Sequence, residues 1–144
     1  MRGEKRIYAV IDTNVLVSSL FSKGFSNPST VINSVISGTI TPLYNDEIIE
    51  EYRDVLSRRK FNFNPKHIEN LISVFTEFGV NVVRENSFNE DFPDSDDIVF
   101  YEVAMSVDDS YLVTGNIKHF PRKSFVVTPA QMVEMLREKG LLDI

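Results

Sequence analysis

The chain contains no cysteine, so it has no disulfide framework, thiolate nucleophile or cysteine-based zinc site. That usage fits a cytoplasmic protein. No apolar stretch approaches the roughly 20 residues that a bilayer-spanning helix needs, so no membrane partner is expected. The opening "MRGEKRIYAVI" sets basic residues before an apolar run, as a signal peptide does. Asp12 and Asn14 break that run and no small-residue cleavage site follows, so it reads as a strand. No glycine-rich turn comes after this strand, which argues against a Rossmann nucleotide binder. Positive charge is also short: the formal net charge is −6, which alone argues against a nucleic-acid partner. Internal repeats, low-complexity tracts and linkers are missing too, so residues 1–144 read as one domain.

What is present is a soluble globular composition, 42% hydrophobic and 25% charged, with enough chain for one ordinary core. Three segments carry the same helix punctuation. "NPSTVINSVISG" sets Asn27 as cap, Pro28 in the first turn and Gly38 as stop. "NPKHIENLISVFTEFG" repeats this from Asn64 and Pro65 to Gly79, and "TPAQMVEMLREKG" from Thr128 and Pro129 to Gly140. Cap, proline at the first helical position and glycine beyond the end together predict helices. Two more are expected at about 46–59 and 97–107. Between them lie β-rich runs at 7–11, 39–44, 80–84, 110–114 and 124–128. This alternation predicts an α/β fold with a mostly parallel five-stranded sheet covered by helices on both faces. In such sheets the functional crevice lies outside the carboxyl ends of the strands. Asp12 stands at one such end, and Asn116 just beyond another.

The acids are the next feature. Asp12 ends a strand between two apolar segments, where a carboxylate must be desolvated or paired. Thr13 and Asn14, which follow, can cap the next helix or orient that carboxylate. In "NDEIIEEYRDVLSRRKF", Ile48, Ile49, Tyr52, Val55 and Leu56 form one stripe; Glu51 falls on its flank, and Glu50 and Asp54 point away. "EDFPDSDDIVFYEVAM" crowds Asp94, Asp96 and Asp97 before an apolar helix. Asp94 can cap that helix, and Asp96 and Asp97 can complement its dipole. Capping uses one or two acids, and this stretch has more; crowded carboxylates repel unless a cation joins them. Carboxylates from a strand end and two helices suit Mg²⁺ or Mn²⁺. Such an ion would reconcile an acidic chain with an acidic substrate. Basic residues cluster at 57–60, 65–67 and 116–123, each most simply read as solvated surface. The two histidines, His67 and His119, lack the spacing of a metal pair.

Four motifs in order, "IDTNVLVSSL", "NDEIIEEYRDVLSRRKF", "DSDDIVFYEVA" and "YLVTGNIKHFP", resemble the PIN-domain family. More narrowly, they are similar to bacterial toxin components of toxin–antitoxin systems. The resemblance implies a three-layer α/β/α sandwich and metal-dependent cleavage of single-stranded RNA, leaving a 5′-phosphate and a 3′-hydroxyl. By it, Asp12, Glu51 and Asp97 are catalytic and hold Mg²⁺ or Mn²⁺, with Asp94, Asp96 and Asn116 as further metal positions. Substrate contacts are expected from Thr13, Asn14, Thr114, Asn116, Lys118, His119 and Arg122. A cognate antitoxin protein and a second copy of the chain are the implied partners. The fourth motif often carries an acid after T-G; here it reads "TGN", with Asn116. That departure favours a rival reading, a PIN-like module that binds RNA or protein without cutting. A receiver-like phosphoacceptor fits less well, because "IDTN" has one acid and "SFVVTP" ends without lysine.

Overall fold

The computed structural model describes residues 6–22, 24–83 and 97–142. Strand β1 (Ile7–Ile11) leads into helices α1 (Thr13–Phe21) and α2 (Asn27–Ile36). Strand β2 (Ile40–Tyr44) leads into α3 (Asp46–Leu56) and α4 (Pro65–Phe78), followed by the short β3 (Val80–Asn81). Then come α5 (Ile98–Met105), β4 (Ser110–Val113), a 3-10 turn at Ile117–His119, β5 (Val126–Val127) and α6 (Pro129–Glu138). Among the described residues the sheet has five strands in the order β3-β2-β1-β4-β5, and every pairing is parallel. The predicted α/β sandwich is therefore present.

Successive residues of a strand point to opposite faces of the sheet. In β1, Ala9, Val10 and Ile11 are all fully buried, so both faces of the central strand are covered. Each such aliphatic side chain removed from water contributes about 1.5–3 kcal/mol. Helix α2 packs against α1, α4 and α6, while α5 packs against β1, β2 and β4. Among the described residues, no helix is long and apolar enough to cross a membrane.

The helix punctuation holds, with one shift. Asn64 accepts from the backbone of Lys66, and Thr128 accepts from that of Gln131. Gln131 returns the bond to Thr128, completing a capping box. For α2 the cap is Ser26 rather than Asn27; its hydroxyl accepts from Ser29, and Asn27 is already helical. Helix α3 stops at Leu56, short of the expected 59, because the chain turns through residues 57–61 and reaches Asn62 at φ 53°.

Candidate active site

Register places the site. Ile11 of β1 lies opposite Val113 of β4, so the next residues, Asp12 and Thr114, emerge side by side at the carboxyl ends of the two strands. From β1 the chain crosses to β2 on one side, and from β4 to β5 on the other. This is the point at which strand order reverses, where open α/β sheets bind their ligands.

Asp12 precedes α1 but its carboxylate does not cap that helix. Instead, Asp12 Oδ2 accepts from the Thr114 hydroxyl at 2.7 Å and from the Asn14 amide at 3.1 Å. Asn14 Oδ1 in turn accepts from the Gly115 backbone at 3.0 Å. The Asn116 backbone donates to Thr114 Oγ1 at 2.9 Å, which commits the hydroxyl hydrogen to Asp12. A methyl group on Gly115 would crowd Asn14 Oδ1 at 3.3 Å, so the missing side chain preserves this clasp. Burial raises the Asp12 carboxyl above its ordinary value. The Thr114 hydroxyl, the Thr13 backbone, the charge of His119 and the Asn14 amide oppose that rise.

Tyr52 supports the same strand end from beneath. Its hydroxyl donates to the carbonyl of Ile11, immediately before Asp12. The ring lies 5.3 Å from that of Phe75 and 6.3 Å from that of Phe100, tying α3 to α4 and α5. Burial, and then the negative charge of Asp12, hold its phenol well above the ordinary value. Sequence reasoning placed Tyr52 in an apolar stripe and missed this role; the signal was a phenol, which needs a partner when buried.

Asp97 sits at the start of α5 without capping it, its side chain only 15% exposed. His119 Nδ1 stands 3.5 Å from Asp97 Oδ2, and the imidazole is the more exposed partner at 48%. When protonated, His119 also favours the ionised form of Asp12. Glu51 is half-buried on α3, one residue before Tyr52. Asn116 is exposed and contributes its backbone, not its side chain, to the Thr114 network. Lys118 and Arg122 line, with Lys123, a cleft of about 450 Å³ beside the 3-10 turn. Asp94 and Asp96 lie outside the described residues.

The oxygen donors of Asp12 and Asp97 are of the kind hard divalent cations prefer. Thr13 Oγ1 is buried with no hydrogen-bond partner among the described residues, an orphan that a bound water or ligand oxygen would satisfy. Among the described residues, no three acidic or imidazole side chains gather closely enough to hold an ion by themselves. The carboxylate oxygens of Asp12 and Asp97 and the Thr13 hydroxyl are donors that such an ion, with water in its remaining positions, would take.

This fold, with a buried acid clasped at the strand crossover, defines an α/β domain of PIN type. The PIN domain family profile matches residues 8–118, from β1 to the 3-10 turn, and the chain belongs to that family. PIN domains are typically nucleases that use divalent metal ions. No curated protein and no solved structure matches the chain.

Proposed function

We propose that this protein is a Mg²⁺- or Mn²⁺-dependent endoribonuclease acting on single-stranded RNA, and that it is the toxin of a toxin–antitoxin pair. The observation that carries the reading is Asp12. It is buried, raised in pKa and held in one orientation by Thr114 and Asn14. A carboxylate kept at such a cost to stability is explained by what it binds. When bound, the ion supplies an activated water and neutralises charge on the phosphate.

The remaining work falls to side chains of the chain. Asp12 and Asp97 would supply carboxylate oxygens to the ion, with Glu51 assigned the third carboxylate by the family pattern. Thr114 and Asn14 keep the Asp12 carboxylate from rotating. Thr13 offers its unpartnered hydroxyl to a water or phosphate oxygen. Lys118, His119 and Arg122 contact the RNA backbone, fixing register rather than sequence. A cognate antitoxin protein would bind this crevice or its rim, and a second copy of the chain would line up two acidic sites.

Asn116 favours a second reading, a binding module that no longer cuts, because the family position that often holds an acid brings no charge here. One assay separates the two: cleavage of labelled single-stranded RNA over a Mn²⁺ titration, with Asp12→Asn and EDTA as controls for trace nuclease. Metal-dependent cleavage that Asp12→Asn abolishes is the expected result. A wild type no faster than Asp12→Asn at every Mn²⁺ concentration overturns the nuclease reading in favour of the binding module.

A further inference from the structure

The basic segment at 57–60 folds into something more specific than solvated surface. Beyond the end of α3 the chain turns through Asn62, and the turn brings Phe61 and Phe63 together, ring centroids 5.3 Å apart and 18° from parallel. Phe21, the last residue of α1, joins them at 5.6 Å from Phe61 and 4.9 Å from Phe63. This cluster lies at the edge of the core, against which Phe63 packs. Phe21 is 55% exposed, and Phe61 and Phe63 are half-buried.

Its rim is cationic. The Lys60 ammonium lies 5.2 Å from the centre of the Phe61 ring. Arg59 and Lys60 are exposed and form no ion pair among the described residues, and Arg58 reaches Asp54 only at 3.5 Å. Residues 57–67 carry four lysines or arginines and no acid, in a chain whose net charge is −6. Packing of the turn against α1 accounts for the ring contacts, but not for solvent-facing rings edged by cations. An apolar protein partner gains little from that rim, whereas a polyanion with planar groups uses both parts. Single-stranded nucleic acid is such a ligand: its backbone follows positive charge, and its unpaired bases stack on aromatic faces. The platform and the candidate site stand at opposite ends of α1. Helix α1 starts beside Asp12, and its nine residues set Phe21 about 13 Å further along.

We infer that Phe21, Phe61 and Phe63, with Arg59 and Lys60, form a stacking platform that binds single-stranded RNA at the end of α1 opposite Asp12. The choice of RNA as ligand rests on the nuclease reading; the geometry of the platform does not. A base lies on the exposed Phe21 ring, which the stacked Phe61–Phe63 pair supports, and the phosphates on the two cations, so binding is tolerant of sequence and sensitive to salt.

The test is fluorescence anisotropy with a short labelled oligouridine in EDTA buffer, where metal-dependent cleavage cannot proceed. Phe21→Leu keeps an apolar side chain and removes the ring face; it should weaken binding about tenfold. The double variant Arg59→Glu, Lys60→Glu changes only exposed side chains. It should weaken binding further and reduce the slope of log affinity against log salt by about 1.4, for two lost phosphate contacts. Should Phe21→Leu fail to fold by circular dichroism, the double variant decides alone. Affinity and salt slope equal to wild type in the folded variants overturn the platform, including the case in which its true occupant is a protein. If those variants bind normally while wild type cleaves RNA with Mn²⁺, the platform falls and the nuclease stands. If wild type binds through the platform but never cleaves, the platform stands and the nuclease reading falls.

Discussion

The Thr114 hydroxyl donates to the Asp12 carboxylate at 2.7 Å, across 102 positions of sequence. Both side chains are buried, and the hydroxyl also accepts from the Asn116 backbone. Thr114→Val keeps the shape and removes both bonds. It should cost about 1–3 kcal/mol, the usual penalty for stranding buried polar groups. Urea unfolding at pH 7 measures this. RNA cleavage should fall with it, because Asp12 loses its shortest restraint.

Asp12 also sets a pH dependence. Burial raises its pKa in the folded state above the ordinary carboxylate value. Between those two values the folded protein binds more protons than the unfolded chain, so the Asp12 contribution to stability falls as pH rises through that window. Above it, the ionised carboxylate is a constant burden in metal-free buffer. Asp12→Asn should therefore melt higher than wild type at pH 7 in EDTA, and the gain should vanish below the ordinary carboxylate pKa. Adding Mn²⁺ should raise the wild-type melting temperature more than that of the variant. Identical melting of both proteins in either buffer would remove Asp12 from any ion site.

Asn116 is exposed at the end of β4, where an acid can be added without disturbing the core. Its backbone bond to Thr114 does not depend on the side chain. Asn116→Asp should raise the cleavage rate and lower the Mn²⁺ concentration for half-activity, since a further carboxylate tightens a hard cation. Rate against Mn²⁺ for both proteins is the measurement. Superimposable curves would show that position 116 contributes nothing to the ion.

Gly79 ends α4 at a point of close approach rather than at an unusual dihedral angle. A Cβ there would lie 2.5 Å from the Pro42 carbonyl oxygen on β2, and would also meet the carbonyl of Phe75. Neither is a flexible side-chain end, so the helix must shift from the sheet. Gly79→Ala should cost about 3 kcal/mol, at the upper end of overpacking penalties. Thermal denaturation checks this, and a change below ~1 kcal/mol would show that α4 moves freely on β2.

Local signals carried most of the fold. The caps at Asn64 and Thr128, the run of strands and the strand-end position of Asp12 were legible because each is written in a few neighbouring residues. The cap of α2 was misplaced by one residue, since Ser26 and Asn27 are both good caps and only the backbone distinguishes them. Strands β3 and β5 are shorter than their apolar runs, because only two residues of each find a ladder partner. At the site, Asp12 was visible as an anomaly, whereas its clasp was not. Thr114 and Tyr52 reach it from segments far along the chain, and such pairings leave no periodicity to read. The aromatic platform was hidden for the same reason: Phe21 meets Phe61 and Phe63 only after α1 and the α3–α4 turn have packed.

The strand order has a consequence for how the protein comes into being. Of the strands of this sheet β1 is synthesised earliest; it lies between β2 and β4, and its parallel pairing with β4 joins segments about a hundred residues apart. Contacts of that separation form slowly and late. While the ribosome is still translating the middle of the chain, Asp12 is an ordinary hydrated carboxylate with no threonine beside it. Thr114 leaves the exit tunnel 102 residues after Asp12. The clasp of Thr114 on Asp12 thus forms late, and a nascent chain that stops short of β4 carries the acid without it.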